Sequence, residues 1–151
     1  MKPAVTTIEI ARTPQDVFAY VTDPTRFPEW QKDVVRVRME GDRAVGSRFV
    51  TTRRIAGAER AQTQEITEMD PPRRWAARGI DGPVRAHAFI AVEPLDEGAR
   101  SRVTFALDFE GHGVGVPLMP LVRRQYQNVS PRSYRNLTTL LEGRAADRRS
   151  G

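Results

Sequence analysis

Residues 115–142 read GVPLMPLVRRQYQNVSPRSYRNLTTLLE and decide how the rest of the chain must fold. Apolar or small residues recur there at spacings of three and four, at Val122, Tyr126, Val129, Ser133, Leu137 and Leu140. This spacing predicts one apolar stripe along an α-helix of about seven turns. The opposite face is polar and carries Arg123, Arg124, Gln127, Arg132, Arg135 and Asn136. A long helix with a single apolar stripe needs a sheet to cover it, so strands are expected elsewhere in the chain.

The chain before this helix supplies those strands. Residues 4–11 are rich in β-branched side chains, and further strand patterns follow over residues 33–40, 46–55, 60–69, 74–80, 84–93 and 100–110. The last of these is the clearest, because Val103, Phe105, Leu107 and Phe109 alternate with polar or small residues and so share one face. Short connections between the later strands favour an antiparallel meander.

A helical insert separates the first two strands. Thr13 to Asp16 predict a helix start, with Thr13 as the N-cap, Pro14 at the first helical position and Asp16 reaching back as a capping-box acid. Asp23 and Pro24 end that helix and open a second helical turn that reaches Trp30. The prediction is an α+β fold, a seven-stranded curved antiparallel sheet around a long C-terminal helix, with two short helices between strands 1 and 2.

Composition bounds the class of protein. The chain has 151 residues, 39% hydrophobic and 28% charged, which suits one domain over residues 1–142 and a basic, disordered tail over residues 143–151. No cysteine is present, and no apolar run approaches the roughly twenty residues of a membrane span, so a cytoplasmic location without export is expected. The net charge of +5 comes mainly from arginines interleaved with acids, which disfavours nucleic-acid binding.

Five short segments carry a family resemblance. They are Thr13-Pro14-Gln15-Asp16-Val17-Phe18, Phe27-Pro28-Glu29-Trp30, Val45-Gly46-Ser47-Arg48-Phe49, Asp70-Pro71-Pro72-Arg73-Arg74, and Glu93-Pro94-Leu95 with Ser101-Arg102-Val103-Thr104-Phe105. Through them residues 3–142 resemble the START/Bet v 1-like superfamily, and more closely the bacterial polyketide cyclase/dehydrase-type (SRPBCC) proteins. The resemblance implies a helix-grip fold with an elongated apolar cavity between sheet and helix. Pro131 departs from this pattern, so a kink or break is expected near residues 128–131.

The cavity implied by the resemblance gives a set of candidate ligand-binding residues. These are Trp30, Phe49, Thr51, Gln64, Trp75, Ala77, Ala88, Ile90, Phe105, Leu107, Phe109, Met119, Val122 and Tyr126. Small residues beside Trp75, namely Ala77 and Gly79, indicate free volume rather than a dense core. The helix from Leu118 to Tyr126 is expected to roof the cavity, and Leu137 to Leu141 to belong to the core.

Candidates for catalysis are fewer. Tyr126, Arg53 and His112 are the polar residues near the expected cavity that could move a proton, with Gln62 and Gln64 as further orienting groups. If Phe49 faces inward, Thr51 and Arg53 do too, but a slip of one residue would place Arg54 there instead. Each of these residues could equally be exposed or bonded for structure alone.

The sequence predicts no metal and no cofactor. Two separated histidines do not make a zinc site. The glycines of Gly111-His112-Gly113-Val114-Gly115 lack the spacing and the later acid of a dinucleotide fingerprint, so they are expected to let the chain turn from strand into helix.

Three functions stay open. The first is binding of a small hydrophobic or aromatic ligand, lipid-like or polyketide-like, in the cavity. The second is a cofactor-independent polyketide cyclase or aromatase that uses the same cavity. The third and weaker one is an accessory protein that binds a partner or nucleic acid through its arginines. The oligomeric state, monomer or homodimer, is left open.

Overall fold

The computed structural model describes the backbone of residues 4–150 and the side chains of residues 4–143. The strands are β1 (Ala4–Ile10), β2 (Val34–Glu40), β3 (Arg48–Ile55), β4 (Ala58–Asp70), β5 (Arg74–Asp81), β6 (Val84–Leu95) and β7 (Arg100–Gly111). The α-helices are α1 (Pro14–Val21), α2 (Phe27–Trp30) and α3 (Met119–Ser150). Single-turn 3-10 segments cover Pro24–Arg26 and Asp96–Gly98, and a longer one, Gly113–Leu118, leads into α3.

The strands form one antiparallel sheet of seven, in the order β1-β7-β6-β5-β4-β3-β2. Consecutive strands from β2 to β7 are neighbours, and β1 closes the order by pairing with β7, as in Ile8 opposite Val103. The sheet therefore curves around α3 with β1 and β2 at its two edges. This architecture confirms the predicted fold class.

The apolar stripe of α3 is the surface that the sheet covers. Val122, Ser133, Leu137 and Leu141 are buried, and the arginines predicted for the opposite face are exposed. Of the two outcomes expected near Pro131, the break does not occur, because the helix continues past it. The predicted disordered tail, residues 143–151, falls almost wholly outside the described side chains and stays a prediction.

Hydrogen bonds fix the position of α3 along the sheet at three points. Gln125 Nε2 donates to Arg54 O at 2.6 Å, Lys32 N donates to Ser133 Oγ at 3.2 Å, and Arg12 Nη1 donates to Leu141 O at 2.8 Å. These bonds involve polar groups beside the apolar stripe, so they set the register of the helix without interrupting its packing. The middle of α3 is thereby held over α2 and the centre of the sheet.

The helical insert follows its sequence signals with one change. The side chain of Thr13 accepts a hydrogen bond from Asp16 N at 3.3 Å, which confirms the N-cap. The Asp16 carboxylate, which was expected to reach back toward Thr13, accepts instead from the guanidinium of Arg12 at 2.8 Å. That pair neutralises a buried arginine whose other terminal nitrogen donates to Leu141 O of α3.

None of the helices in the described part of the chain combines the length and the apolar character that a membrane span requires.

The connection from β7 to α3 depends on close backbone contact at Gly115. A Cβ atom added there would overlap the carbonyl oxygen of Pro83, in the turn before β6. Gly113 adopts a φ of +56°, in the left-handed region that favours glycine. These glycines turn the chain from strand into helix, as the sequence predicts.

Replacing Gly115 with alanine should destabilise the fold by about 1–3 kcal/mol, because the turn at Pro83 must move to admit a methyl group. Gly143→Ala is the matched control, since no atom lies within 4 Å of its added Cβ and alanine is the better helix former by about 1 kcal/mol. Urea unfolding of both variants measures the difference. Equal midpoints would show that the contact at Pro83 places no constraint on the connection.

Candidate ligand-binding site

A partly enclosed cavity of about 60 Å³ lies between the sheet and the middle of α3. Every strand from β3 to β7 contributes to its wall, together with α2, the segment after α2, and α3. The lining residues are Phe27, Trp30, Gln31, Asp33, Arg53, Gln64, Trp75, Ala86, Ala88, Phe89, Ile90, Phe105, Ala106, Leu107, Tyr126, Val129, Ser130, Ser133 and Tyr134. The wall is therefore largely apolar, with a few polar side chains of defined position.

Aromatic rings form much of the apolar wall. The rings of Phe105 and Tyr134 lie 4.7 Å apart between centroids, those of Trp30 and Phe105 lie 5.7 Å apart, and Phe27 meets Trp75 edge-on at 6.2 Å. Such ring contacts stabilise a wall beyond the apolar area that they bury. Trp30 and Trp75 are the two tryptophans of the chain, and both line the cavity.

Arg53 is the charged centre of the polar wall. Its side chain is 6% exposed, and its two terminal nitrogens donate to Asp33 Oδ2 and Gln31 Oε1, each at 3.0 Å. The structure resolves the open choice of register, since Phe49, Thr51 and Arg53 face inward and Arg54 is exposed. The ion pair with Asp33 is what makes a buried guanidinium tolerable at this position.

Two tyrosines about two turns apart on α3 share a hydrogen bond at the wall. The hydroxyl oxygens of Tyr126 and Tyr134 lie 2.7 Å apart. Burial raises the pKa of both phenols above the ordinary tyrosine value, and the neighbouring hydroxyl raises the pKa of Tyr134 further. Both groups are therefore neutral near pH 7. Only one of the two phenolic protons is used in the bond between them.

Gln62 and Gln64 hold the wall together. Gln64 Oε1 accepts from Thr51 Oγ1 at 3.1 Å, and Gln64 Nε2 donates to Ala86 O at 3.1 Å. Ala86 N donates to Gln62 Oε1 at 2.7 Å. Two amides of β4 thus bind the backbone of β6 near the point where the β5–β6 pairing ends. Both glutamines were predicted as orienting groups, and the structure gives them bonds within the wall.

The structure brings many of the predicted residues together and leaves others outside. Those on the wall are Trp30, Arg53, Gln64, Trp75, Ala88, Ile90, Phe105, Leu107 and Tyr126. Phe49, Thr51 and Ala77 are buried, but they are not among the residues that line the cavity. Phe109, Met119 and Val122 belong to a separate core cluster with Ile55, Val84 and Ala86.

The part of α3 that covers the cavity lies further along the helix than the sequence indicates. Residues 118–126 were expected to roof it, but of these only Tyr126 reaches the wall, followed by Val129, Ser130, Ser133 and Tyr134. The start of α3 packs instead on the separate cluster at one end of the sheet. Leu137 and Leu141 are in the core, as expected. Tyr134 was missed, although its spacing of eight from Tyr126 places it on the same side of a helix.

His112 does not reach the cavity. Its Nε2 lies 2.7 Å from Glu110 Oε1, and the other carboxylate oxygen of Glu110 lies 2.9 Å from His87 Nε2. The hydrogen bond from His87 is the main cause that lowers the pKa of the exposed Glu110 carboxyl, and the nearby His112 ring lowers it further. Gly113 turns the chain at this point, and His112 is therefore corrected from a catalytic candidate to part of a surface cluster. Among the described residues, no group of three or more His, Cys, Asp or Glu side chains could hold a metal ion.

A surface groove of about 490 Å³ adjoins the cavity between β1 and α3. Thr6 and Ile8 form its strand side, and Ser130 and Tyr134 line both the groove and the cavity. The partition between the internal space and this groove is therefore formed by side chains of α3.

Solved structures with the same fold are numerous. A START superfamily protein from Mycobacterium smegmatis matches with a TM-score of 0.76 at 15% identity, over 95% of this chain and 99% of that one. The aromatase/cyclase Zhui from a Streptomyces species matches with a TM-score of 0.72 at 18% identity, over 97% and 94% of the two chains. A Thermus thermophilus protein matches with a TM-score of 0.71 at 19% identity, over 96% of this chain and 97% of that one. At these identities the likeness shows the fold.

Family membership rests on the sequence itself. None of the curated proteins matches this chain. The family model described as "Polyketide cyclase / dehydrase and lipid transport" matches residues 1–142. That match spans α3 up to Glu142, the whole sheet and the helical insert, which together enclose the cavity. The chain therefore belongs to the polyketide cyclase/dehydrase and lipid-transport family, within the START-like SRPBCC proteins.

Proposed function

We propose that this protein binds a small hydrophobic or aromatic ligand in the cavity between the sheet and α3. The observation that carries the proposal is the wall itself, in which packed aromatic rings surround a space that the small side chains of Ala86 and Ala88 leave unfilled. Ligand sites are typically concave and mostly apolar, with a few polar groups that fix orientation. Membership of a family described by lipid transport and polyketide chemistry supports the same reading.

The dimensions of the cavity limit the ligand. A volume of about 60 Å³ gives room for roughly five water molecules, and ligand pockets commonly reach about 300–1,000 Å³. A compound of one or two rings therefore fits with small adjustments of the wall. A longer ligand requires displacement of a wall side chain, and Ser130 and Tyr134 are the wall residues that also line the adjoining groove of about 490 Å³.

Binding should be visible by tryptophan fluorescence and by thermal stability, because both tryptophans line the cavity. A ligand at a hundredfold excess over its Kd should raise the free energy of unfolding by about 2.7 kcal/mol. Ala88→Leu fills the cavity and should abolish both signals. Ala91→Leu, on the same strand but not on the wall, is the control that keeps them. A panel of one- and two-ring apolar compounds that leaves fluorescence and stability unchanged would refute ligand binding in this cavity.

The second candidate is a cofactor-independent cyclase or aromatase that uses the same space. The specific observation in its favour is the group formed by Arg53, Tyr126 and Tyr134 beside the aromatic wall. Neutral phenols can donate a proton or hydrogen bond to a ketone oxygen, and a guanidinium can stabilise negative charge that develops on an enolate. The fold shared with the Zhui aromatase/cyclase is compatible with this chemistry.

The catalytic candidate predicts turnover of a poly-β-ketone that depends on these groups. Tyr126→Phe or Arg53→Ala should lower kcat/KM by about a hundredfold, because each change removes a group that acts on the reacting oxygen. His112→Ala is the control without effect, since His112 lies with Glu110 outside the cavity. Ligand binding without any turnover in the unaltered protein would eliminate this candidate and leave binding alone.

The cyclase candidate requires neutral phenols, and alkaline unfolding tests that state. Because burial raises the pKa of Tyr126 and Tyr134 in the folded protein, their contribution to stability is complete below the unfolded value near pH 10. Above it the unfolded state ionises first, so stability falls by up to about 1.4 kcal/mol per pH unit for each phenol. The free energy of unfolding, measured in urea at about pH 9 and about pH 11, should fall less between the two pH values for Tyr134→Phe than for the unaltered protein. Parallel losses in both proteins would mean that Tyr134 ionises while folded.

A further inference from the structure

We propose that the cavity takes an uncharged aromatic carbonyl compound, whose polar atoms accept hydrogen bonds and do not donate them. This inference rests on the proposed function, since it specifies the ligand of the same cavity. It follows from a mismatch in the wall between hydrogen-bond donors and acceptors.

Three buried N–H groups on cavity residues lack a partner among the described residues. They are Trp30 Nε1, Trp75 Nε1 and Arg53 Nε. Their side chains are 3%, 1% and 6% exposed, so each is more than nine-tenths buried. A buried donor without a partner is costly, and native proteins contain few of them. All three lie on residues that surround one small space, which makes a common acceptor in that space the economical explanation.

The acceptors of the same wall are largely engaged already. Arg53 donates hydrogen bonds to Asp33 Oδ2 and Gln31 Oε1. Thr51 Oγ1 donates to Gln64 Oε1, and Lys32 N donates to Ser133 Oγ. The Tyr126–Tyr134 pair retains one phenolic proton beyond the bond between the two hydroxyls. The unsatisfied capacity of the wall is thus mostly donating capacity. A ligand hydroxyl or amine proton meets fewer open acceptors on this wall, Asp33 Oδ1 and Ser130 Oγ, than a ligand oxygen meets open donors.

The charges of the wall point to a neutral ligand. Arg53 and Asp33 form an ion pair at 3.0 Å, so the polar side carries no net charge to offset a carboxylate or an ammonium group. Placing an extra charge in such a buried space without a partner is strongly unfavourable. The rings of Trp30, Phe105 and Tyr134 favour a flat aromatic body. Carbonyl oxygens on an aromatic framework satisfy the size, the charge and the acceptor requirement together.

Three compounds of nearly equal size test the inference. 1-Indanone carries only an acceptor, 1-indanol carries a donor as well, and indane carries neither. We expect 1-indanone to bind about tenfold more tightly than either of the others by isothermal titration calorimetry, because it alone satisfies buried donors without adding one. Indane binding as tightly as 1-indanone would overturn the inference and leave the proposed function standing. No binding by any of the three would overturn both.

Nuclear magnetic resonance of the unaltered protein locates the hydrogen bond. With two tryptophans in the chain, a ¹⁵N-labelled sample gives two indole N–H signals. The inference predicts that 1-indanone moves at least one of them downfield in the proton dimension and that indane does not. Equal movement with both compounds would show a ring effect without a hydrogen bond, and would overturn the assignment of the indole groups as donors.

Isosteric replacement isolates the donors from the rings. Growth of a tryptophan auxotroph on β-(3-benzothienyl)alanine replaces Trp30 and Trp75 together and exchanges each N–H for a sulfur atom of similar shape. The preference for 1-indanone over indane should fall severalfold, while indane binding stays close to that of protein made with tryptophan in the same strain. An unchanged preference would overturn the role of both indoles. If the protein with benzothienylalanine folds poorly, the magnetic resonance experiment still tests the inference, because it uses the unaltered protein.

Discussion

The structure depends on one constraint, the covering of a single helix by a seven-stranded sheet. A sheet that curves around one helix encloses more space than the helix alone can fill. Large side chains fill the two ends, with Met119, Val122 and Phe109 at one end and Leu137, Leu141 and Val103 at the other. Between them the wall combines aromatic rings with small residues, namely Ala86, Ala88, Ser130 and Ser133, that leave space beside the rings. The cavity is the part of the interior that this distribution of side-chain volume leaves open.

The same constraint explains why polar groups cluster at the cavity. Arg53 lies on the inward face of β3. Its side chain lines the cavity instead of packing among apolar side chains. Asp33 and Gln31, in the short connection from α2 to β2, close over the guanidinium and supply the partners that a buried charge requires. Dense packing there would have excluded Arg53, and solvent there would have reduced the energetic value of its ion pair. A partly enclosed space makes a buried, oriented donor possible.

The sequence predicted well which face of each strand and of the helix is buried. It predicted less well where along the sheet each turn of the helix lies. Strand alternation placed Phe105, Leu107 and Ile90 on the inner side, Trp75 was predicted as a wall residue from its small neighbours, and Trp30 from the family resemblance. The position of the roof was wrong by about two turns, because a helical stripe defines which side is buried and not which strand residue each turn meets. That register is set by contacts between distant residues, such as Gln125 with Arg54 and Ser133 with Lys32. His112 was misplaced for a related reason, since a glycine turn gives no direction from sequence alone.

The partition between cavity and groove shows how a small internal space can be compatible with ligand exchange. Tyr134 is held by its ring contacts with Phe105 and Trp30 and by one hydrogen bond to Tyr126. By contrast, the wall at Gln64 is held by bonds to two strands, and the wall at Arg53 by an ion pair and an amide. Rotation of Tyr134 therefore breaks fewer hydrogen bonds than movement of either strand-borne group, and it joins the cavity of about 60 Å³ to a groove of about 490 Å³. A ligand oxygen that replaces the Tyr126 hydroxyl as a partner would offset the one hydrogen bond that such a rotation costs. The strands of the wall then hold the ligand in position, while α3 supplies the side chain that moves.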